Sequence, residues 1–183
     1  MKMTRKKTIV SSLLLFVVAY FTSPIITLIL FTNSLKDNNK EAFSRYIDFP
    51  ELREDLKTQL NTYLYGMALN RIGEQELSEM KMLLISPIIK NIVDSTINST
   101  ITPTGLYNVL SNGYISKRIA DKSDNKGNNK SNNNELTYSI YYKNINTFIL
   151  QTEPDGSEKA IVSMWKRSYL FKWKLYSLEL PLD

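Results

Sequence analysis

Between Thr8 and Phe31 the chain runs for 24 residues without a formal charge. No other feature restricts its fold as strongly. Wound as a helix, that run is about 36 Å long. The hydrocarbon core of a bilayer is roughly 30 Å thick, so the helix spans it with some tilt. Lys2, Arg5, Lys6 and Lys7 precede the run, and Lys36 and Asp37 follow it. The positive-inside rule then puts the N-terminus in the cytoplasm and residues 32–183 on the far side. Pro24 is expected to kink the helix, with neighbouring groups taking up the carbonyl it leaves unpaired. The rival is a cleaved signal peptide with residues 9–19 as its apolar stretch. Val17-Val18-Ala19 is a poor small-x-small cleavage site, however, and the hydrophobicity continues to Phe31. The reading is therefore an uncleaved anchor, with the lipid bilayer as partner through residues 8–31.

Composition narrows the function by exclusion. The chain has 183 residues, with 23 Lys+Arg against 18 Asp+Glu. Four of the positive charges fall in the first seven residues, which leaves 19 against 18 for the rest. So balanced a body lacks the concentrated positive face that binding nucleic acid requires, and no nucleic-acid partner is expected. There is no Cys and no His. That removes disulfides, thiolate nucleophiles, the Ser-His-Asp triad and the common zinc ligands. No glycine-rich phosphate loop or metal-ligand cluster stands in the sequence, and no metal or cofactor is expected.

Beyond the anchor the periodicity is first helical, then alternating. Ala42, Phe43, Tyr46 and Ile47 follow helical spacing, with Asp37 to Lys40 as a cap or exposed turn. Asp48 reads as an N-cap with Glu51 at N3, a capping box, and Ile47 and Leu52 sit at the staple positions. Leu52, Leu56, Leu60, Leu64 and Met67 then mark one helix face, ending near Gly73. A second pattern runs from Glu74 to about Ile97, interrupted by Pro87, as two helices or one kinked helix. Thr102-Pro103 opens a short helix that closes at Asn112-Gly113. Residues 119–134, rich in Asn and without apolar residues from Asp121 on, read as a mobile surface loop. After it the period is two: Leu136 to Tyr142, Thr147 to Leu150, Ala160 to Trp165 and Leu170 to Leu180, with a turn at Glu153-Pro154-Asp155-Gly156. The links are too short for crossover helices, so the strands form an antiparallel meander. The fold class is α+β: an anchor over residues 1–31, then an extracytoplasmic domain over 32–183, helical to 118 and a sheet from 135.

Several pieces carry a resemblance: Ser23-Pro24 late in the anchor, the stretch Tyr46-Ile47-Asp48-Phe49-Pro50-Glu51-Leu52-Arg53, Gln59-Leu60, Thr102-Pro103-Thr104-Gly105-Leu106, and the closing Trp173-Lys174-Leu175 with Leu180-Pro181. In that order they resemble DUF2939, a bacterial family of membrane-anchored proteins of unknown function. The resemblance implies a bacterial envelope protein and brings no activity or catalytic residues. The helix-then-sheet order is also similar to NTF2-like cone folds, by analogy of fold alone.

The candidate contact residues are Tyr46, Asp48, Arg53, Trp165 and Trp173. Asp48, Glu51, Glu54 and Asp55 form the densest acidic cluster, able to supply an acid/base pair but already suited to capping and solvated positions. Arg53 could grip an anion or pair with an acid on its own helix. Lys166, Arg167, Lys172 and Lys174 with Trp165 and Trp173 read as a basic, aromatic patch for lipid or wall polymer, or as a charged sheet edge. Tyr63, Tyr65, Tyr138, Tyr141, Tyr142, Tyr169 and Tyr176 could line a groove or simply occupy half-buried strand positions. The resulting expectation is a non-enzymatic envelope protein that binds a protein partner or ligand. Its alternatives are a small pocket enzyme using carboxylates and tyrosines, and an accessory subunit of a membrane complex.

Overall fold

The computed structural model describes residues 2–72, 79–112, 137–153 and 160–179. The order is α1 (Lys2–Lys36), α2 (Lys40–Ser44), α3 (Phe49–Ile72), α4 (Glu79–Thr100), a helical stretch over residues 103–112, then strands β1 (Thr137–Asn144), β2 (Thr147–Glu153), β3 (Ile161–Tyr169) and β4 (Lys172–Glu179). The strands make one antiparallel sheet in sequence order. The α+β class with an N-terminal apolar helix holds. The Asn-rich loop and the turn at residues 154–156 lie outside the described residues.

The helix α1 continues through Pro24 as a single element. A proline has no N–H for the carbonyl four residues earlier. That carbonyl belongs to Tyr20, and the Ser23 hydroxyl donates to it at 2.7 Å. The Ser23 hydroxyl oxygen in turn accepts the Trp173 indole N–H at 2.9 Å. Ser23-Pro24 thus repairs the helix and joins it to β4 in one place.

From Tyr20 onward α1 lies against the sheet. Tyr142 donates to the Phe21 carbonyl at 2.9 Å, and Phe31 packs on Trp165 and Phe43, each with ring centroids 5.2 Å apart. The buried residues on this half are small: Ser23 (2% exposed), Pro24, Thr27 (4%) and Ser34. Its aliphatics Ile25, Ile26, Ile29 and Leu30 are 48–54% exposed. Polarity is therefore inverted relative to a helix docked in water, and matches the pattern of small residues inward and aliphatics outward found for helices in lipid. The boundary expected at Phe31 does not coincide with the packing. Residues 20–31 belong to the apolar run and to the folded head at once, because the sheet uses their small side chains for close approach.

The core joins all layers. Phe43, Leu52, Val93 and Phe148 are fully buried, and Trp165 and Trp173 nearly so. One row crosses the sheet as Tyr142, Phe148, Trp165 and Leu175, and Ile47 extends it through a parallel bridge to Leu175. The next row is Ile140, Leu150, Ser163 and Leu178.

The chain reverses after α1 at Asn38, which has φ 59°, a conformation Asn tolerates better than most residues. Asn39 then caps α2, its side chain accepting from the Ala42 N–H at 2.9 Å. The polar stretch after the anchor is thus a cap on both sides. In α4, Pro87 is accommodated inside one helix, and Ile89, Val93 and Ile97 face the core. Leu83, Leu84, Ile88 and Ile92, which share the apolar pattern, are exposed. The helix has two apolar faces, and the core covers one.

Candidate functional site

Tyr46 to Arg53 is where the fold is tied. The Tyr46 carbonyl accepts from Leu175 N–H, and Asp48 N–H donates to the Leu175 carbonyl, both at 2.8 Å. These bonds satisfy part of the free edge of β4. Asp48 Oδ1 accepts the Glu51 N–H at 3.4 Å, as the N-cap pattern predicts. The reciprocal half of the capping box does not form. Asp48 N–H is already given to the strand, and the Glu51 carboxylate pairs with Lys166 instead. Lys166 also meets Asp48 Oδ2 at 3.1 Å. Arg53 pairs with no acid on its own helix. Its Nε donates to the Ile101 carbonyl at 2.8 Å, just past the end of α4, where backbone acceptors lack helical partners.

The neighbouring Thr102 caps residues 103–112, its hydroxyl accepting from Gly105 N–H at 3.0 Å. A Cβ on Gly105 would stand 2.3 Å from the Thr100 carbonyl oxygen, so only glycine fits that approach. The motif around Asp48 and the motif around Gly105 thus meet through Arg53. Both are occupied with folding.

The remaining acids are spent locally. Glu54 pairs with Lys57 and Asp55 accepts from Gln59. Lys57 also reaches Asp94 on α4 at 3.2 Å, and its pKa is raised, first by the hydrogen bond to Glu54. Burial raises the pKa of Tyr142, against the pull of Arg167, and burial likewise raises Tyr176.

The tryptophans do not form an exposed patch. Trp165 gives its indole N–H to Ser163 at 3.1 Å and Trp173 gives its own to Ser23. Both are about 1% exposed, because they anchor the aromatic row beneath α1. Lys166 is on the interior strand β3, so the charged-edge reading fails for it. The five candidates therefore do not converge. Tyr46 and Asp48 tie the start of α3 to β4, Arg53 ties α3 to the end of α4, and Trp173 fastens α1.

Trp165 alone among them borders the concave feature of the head. This groove lies between α1 and the sheet and encloses about 540 Å³. Its floor is the row Ile140, Leu150, Ser163 and Leu178, and α1 supplies Ile25, Leu28, Ile29 and Thr32. The small Ser163 in a row of larger side chains leaves the space. Its hydroxyl donates to the Leu150 carbonyl at 3.2 Å, so it is internally satisfied. Asn33 and Lys36 stand along the wall nearer the end of α1, and Lys36 is the sole charged residue among the described lining. Such a surface can hold an apolar chain and one anionic group. No carboxylate stands among its described lining. The sequence did not reveal the groove. Its one signal was a serine where the strand alternation calls for a large apolar residue.

The fold defines a class: one helix long and apolar enough to cross a membrane, further helices, and a four-stranded antiparallel sheet. Within that class the chain belongs to the family described as protein of unknown function (DUF2939), whose model matches residues 13–109. The match covers Ser23-Pro24, the Asp48 motif and the Gly105 motif; Trp173-Lys174-Leu175 lies beyond it. No curated protein and no solved structure matches this chain.

Proposed function

We propose that this protein is a non-enzymatic binding protein of the bacterial inner membrane, held by α1 with its head in the periplasm. The head holds the acyl chain of an anionic amphiphile between α1 and the sheet. The observation that carries this reading is the apolar groove with Lys36 as the single cation among its described lining. One wall of the groove is the helix that continues into the apolar shaft, giving a hydrocarbon chain a continuous path. The half-exposed aliphatics Ile25, Ile26, Ile29 and Leu30 favour retention of the anchor, since cleavage near Ala19 would leave them in water.

A fatty acid carrying a terminal diazirine, added to membranes containing the full chain, tests the groove. Crosslinks on β2 and β3 near Leu150 and Ser163, lost in Ile140→Trp, support it; crosslinks confined to residues 8–18 reject it. The N-terminal residue of membrane-extracted protein tests the anchor: Met1 supports it and Tyr20 rejects it. Alkaline phosphatase fused behind Asp183 reports the side of the head, being active only in the periplasm.

A second reading has its own observation. Leu84, Ile88 and Ile92 make an exposed aliphatic stripe on α4, suited to a protein partner or to a place as accessory subunit. Crosslinking in intact cells from position 88, compared with Ile88→Lys for partner loss, separates this from a groove-only function.

A further inference from the structure

The free part of α1 is too short for the membrane it is read to cross. From Lys7 to Ala19 the shaft measures about 18 Å at 1.5 Å per residue. The hydrocarbon core is roughly 30 Å. Counted from Lys7, that thickness reaches to about Thr27, well into the half of α1 that lies on the sheet. The exposed Ile25, Ile26, Ile29 and Leu30 continue the apolar surface through that half. If α1 spans the bilayer while docked, part of the sheet must enter it as well.

The end of the sheet beside the shaft is built for that position. Two hairpin turns lie there, β1 to β2 at Ile145-Asn146 and β3 to β4 at Leu170-Phe171. Their apolar side chains point outward: Ile145 is 59% exposed, Tyr169 72% and Leu170 58%. Phe171 packs edge-on against Phe16 of the shaft at 5.7 Å. Arg167 joins the turns. Its guanidinium donates to the Ile145 carbonyl at 3.3 Å and to the Leu170 carbonyl. It stacks on Tyr20 at 3.7 Å and on Trp173 at 4.0 Å. The turn carbonyls it meets are thereby satisfied inside the protein, as a low-dielectric setting requires. The hairpins also carry a charge pattern. Residues 137–152 and 161–178 hold Lys143, Lys166, Arg167, Lys172 and Lys174 and no acid. Lys143 and Lys172 are exposed close to the turns.

We propose that the paired hairpin turns are a second membrane contact. Ile145, Tyr169, Leu170 and Phe171 enter the bilayer beside α1, near the level of Phe16, while the stems of Lys143 and Lys172 snorkel away from its centre. The inference rests on the anchor reading and adds that the head is embedded rather than tethered.

Single-cysteine labelling tests it, because the chain has no cysteine of its own. The full chain is reconstituted in vesicles of phosphatidylethanolamine and phosphatidylglycerol. An environment-sensitive dye is placed in turn at Leu14→Cys in the shaft, Ile145→Cys and Leu170→Cys in the turns, and Ser95→Cys on α4. Lipids spin-labelled at shallow or deep positions serve as quenchers. The expected result is strong deep quenching at 14, blue-shifted emission with lipid quenching at both 145 and 170, and no lipid quenching at 95. Quenching at 14 with both turn labels open to aqueous iodide overturns the embedded head and leaves the anchor standing. No lipid quenching at 14 overturns both. The two turn sites have large solvent exposure, and unchanged far-UV circular dichroism confirms that each labelled chain is folded.

Discussion

The two halves of α1 are both rich in apolar residues and have opposite relations to the rest of the molecule. Residues 7–18 expose every side chain and touch the head chiefly through Phe16 and Phe171. Residues 20–36 bury Ser23, Pro24, Thr27 and Ser34 against the sheet, line the groove with Ile25 and Ile29, and turn Ile26 and Leu30 away from it. The difference teaches that an apolar run need not be a uniform membrane rod. A few small polar residues at helical spacing convert half of it into a wall of the folded head, and leave the other face suited to lipid.

The comparison can be broken most severely at Trp173. Trp173→Ala removes a buried indole and its bond to Ser23, and should cost about 3–5 kcal/mol. Leu14→Ala in the shaft should leave head stability unchanged. Denaturant unfolding followed by Trp165 fluorescence reads both. A next, smaller effect is expected for Ser23→Val, which strands the Tyr20 carbonyl and the Trp173 indole N–H for about 2–3 kcal/mol. Ser12→Val, its counterpart in the shaft, should be neutral in the same measurement. Arg167→Lys keeps the charge but loses the planar fork and the stacking. A loss of about 1–2 kcal/mol should follow, with faster proteolysis at the turns.

The mildest prediction concerns pH. Burial raises the Tyr142 pKa above its ordinary value of 10.0. The folded state thus holds the phenolic proton more tightly than the unfolded chain. Its contribution is fully present below about pH 10 and is lost as pH rises through the folded value. Alkaline titration should loosen the contact between Tyr142 and Phe21 in the wild type. Tyr142→Phe should show a flatter stability profile over the same range, and an unchanged profile would count against the linkage.

Local features were legible in advance. The cap at Asp48, the Ile47–Leu52 staple and the Leu stripe of α3 follow from spacing, and α3 begins where they place it; the stop expected at Gly73 lies outside the described residues. The meander also follows, since short links permit only antiparallel neighbours. The failures involve competition for one group by distant partners. Glu51 was assigned to its own cap but is taken by Lys166 from β3. Spacing offers Arg53 an anion or an acid on its own helix, but it goes to the end of α4, 48 residues away. The indoles of Trp165 and Trp173 were placed on a surface patch, although alternation alone cannot say which sheet face a helix will cover.

By itself the amino-acid order determined the apolar run, the helix starts, the strand period and the absence of cysteine and histidine chemistry. These depend on interactions within a few residues or on composition. Only the tertiary structure decided that half of the run docks on the sheet, that Ser163 opens a groove beneath it, and that Arg167 binds two turns beside the shaft. Each of those depends on side chains brought together across long stretches of chain, as Ser23 and Trp173 are across 150 residues. Periodicity records which faces are apolar. Packing chooses which of them is covered and by what.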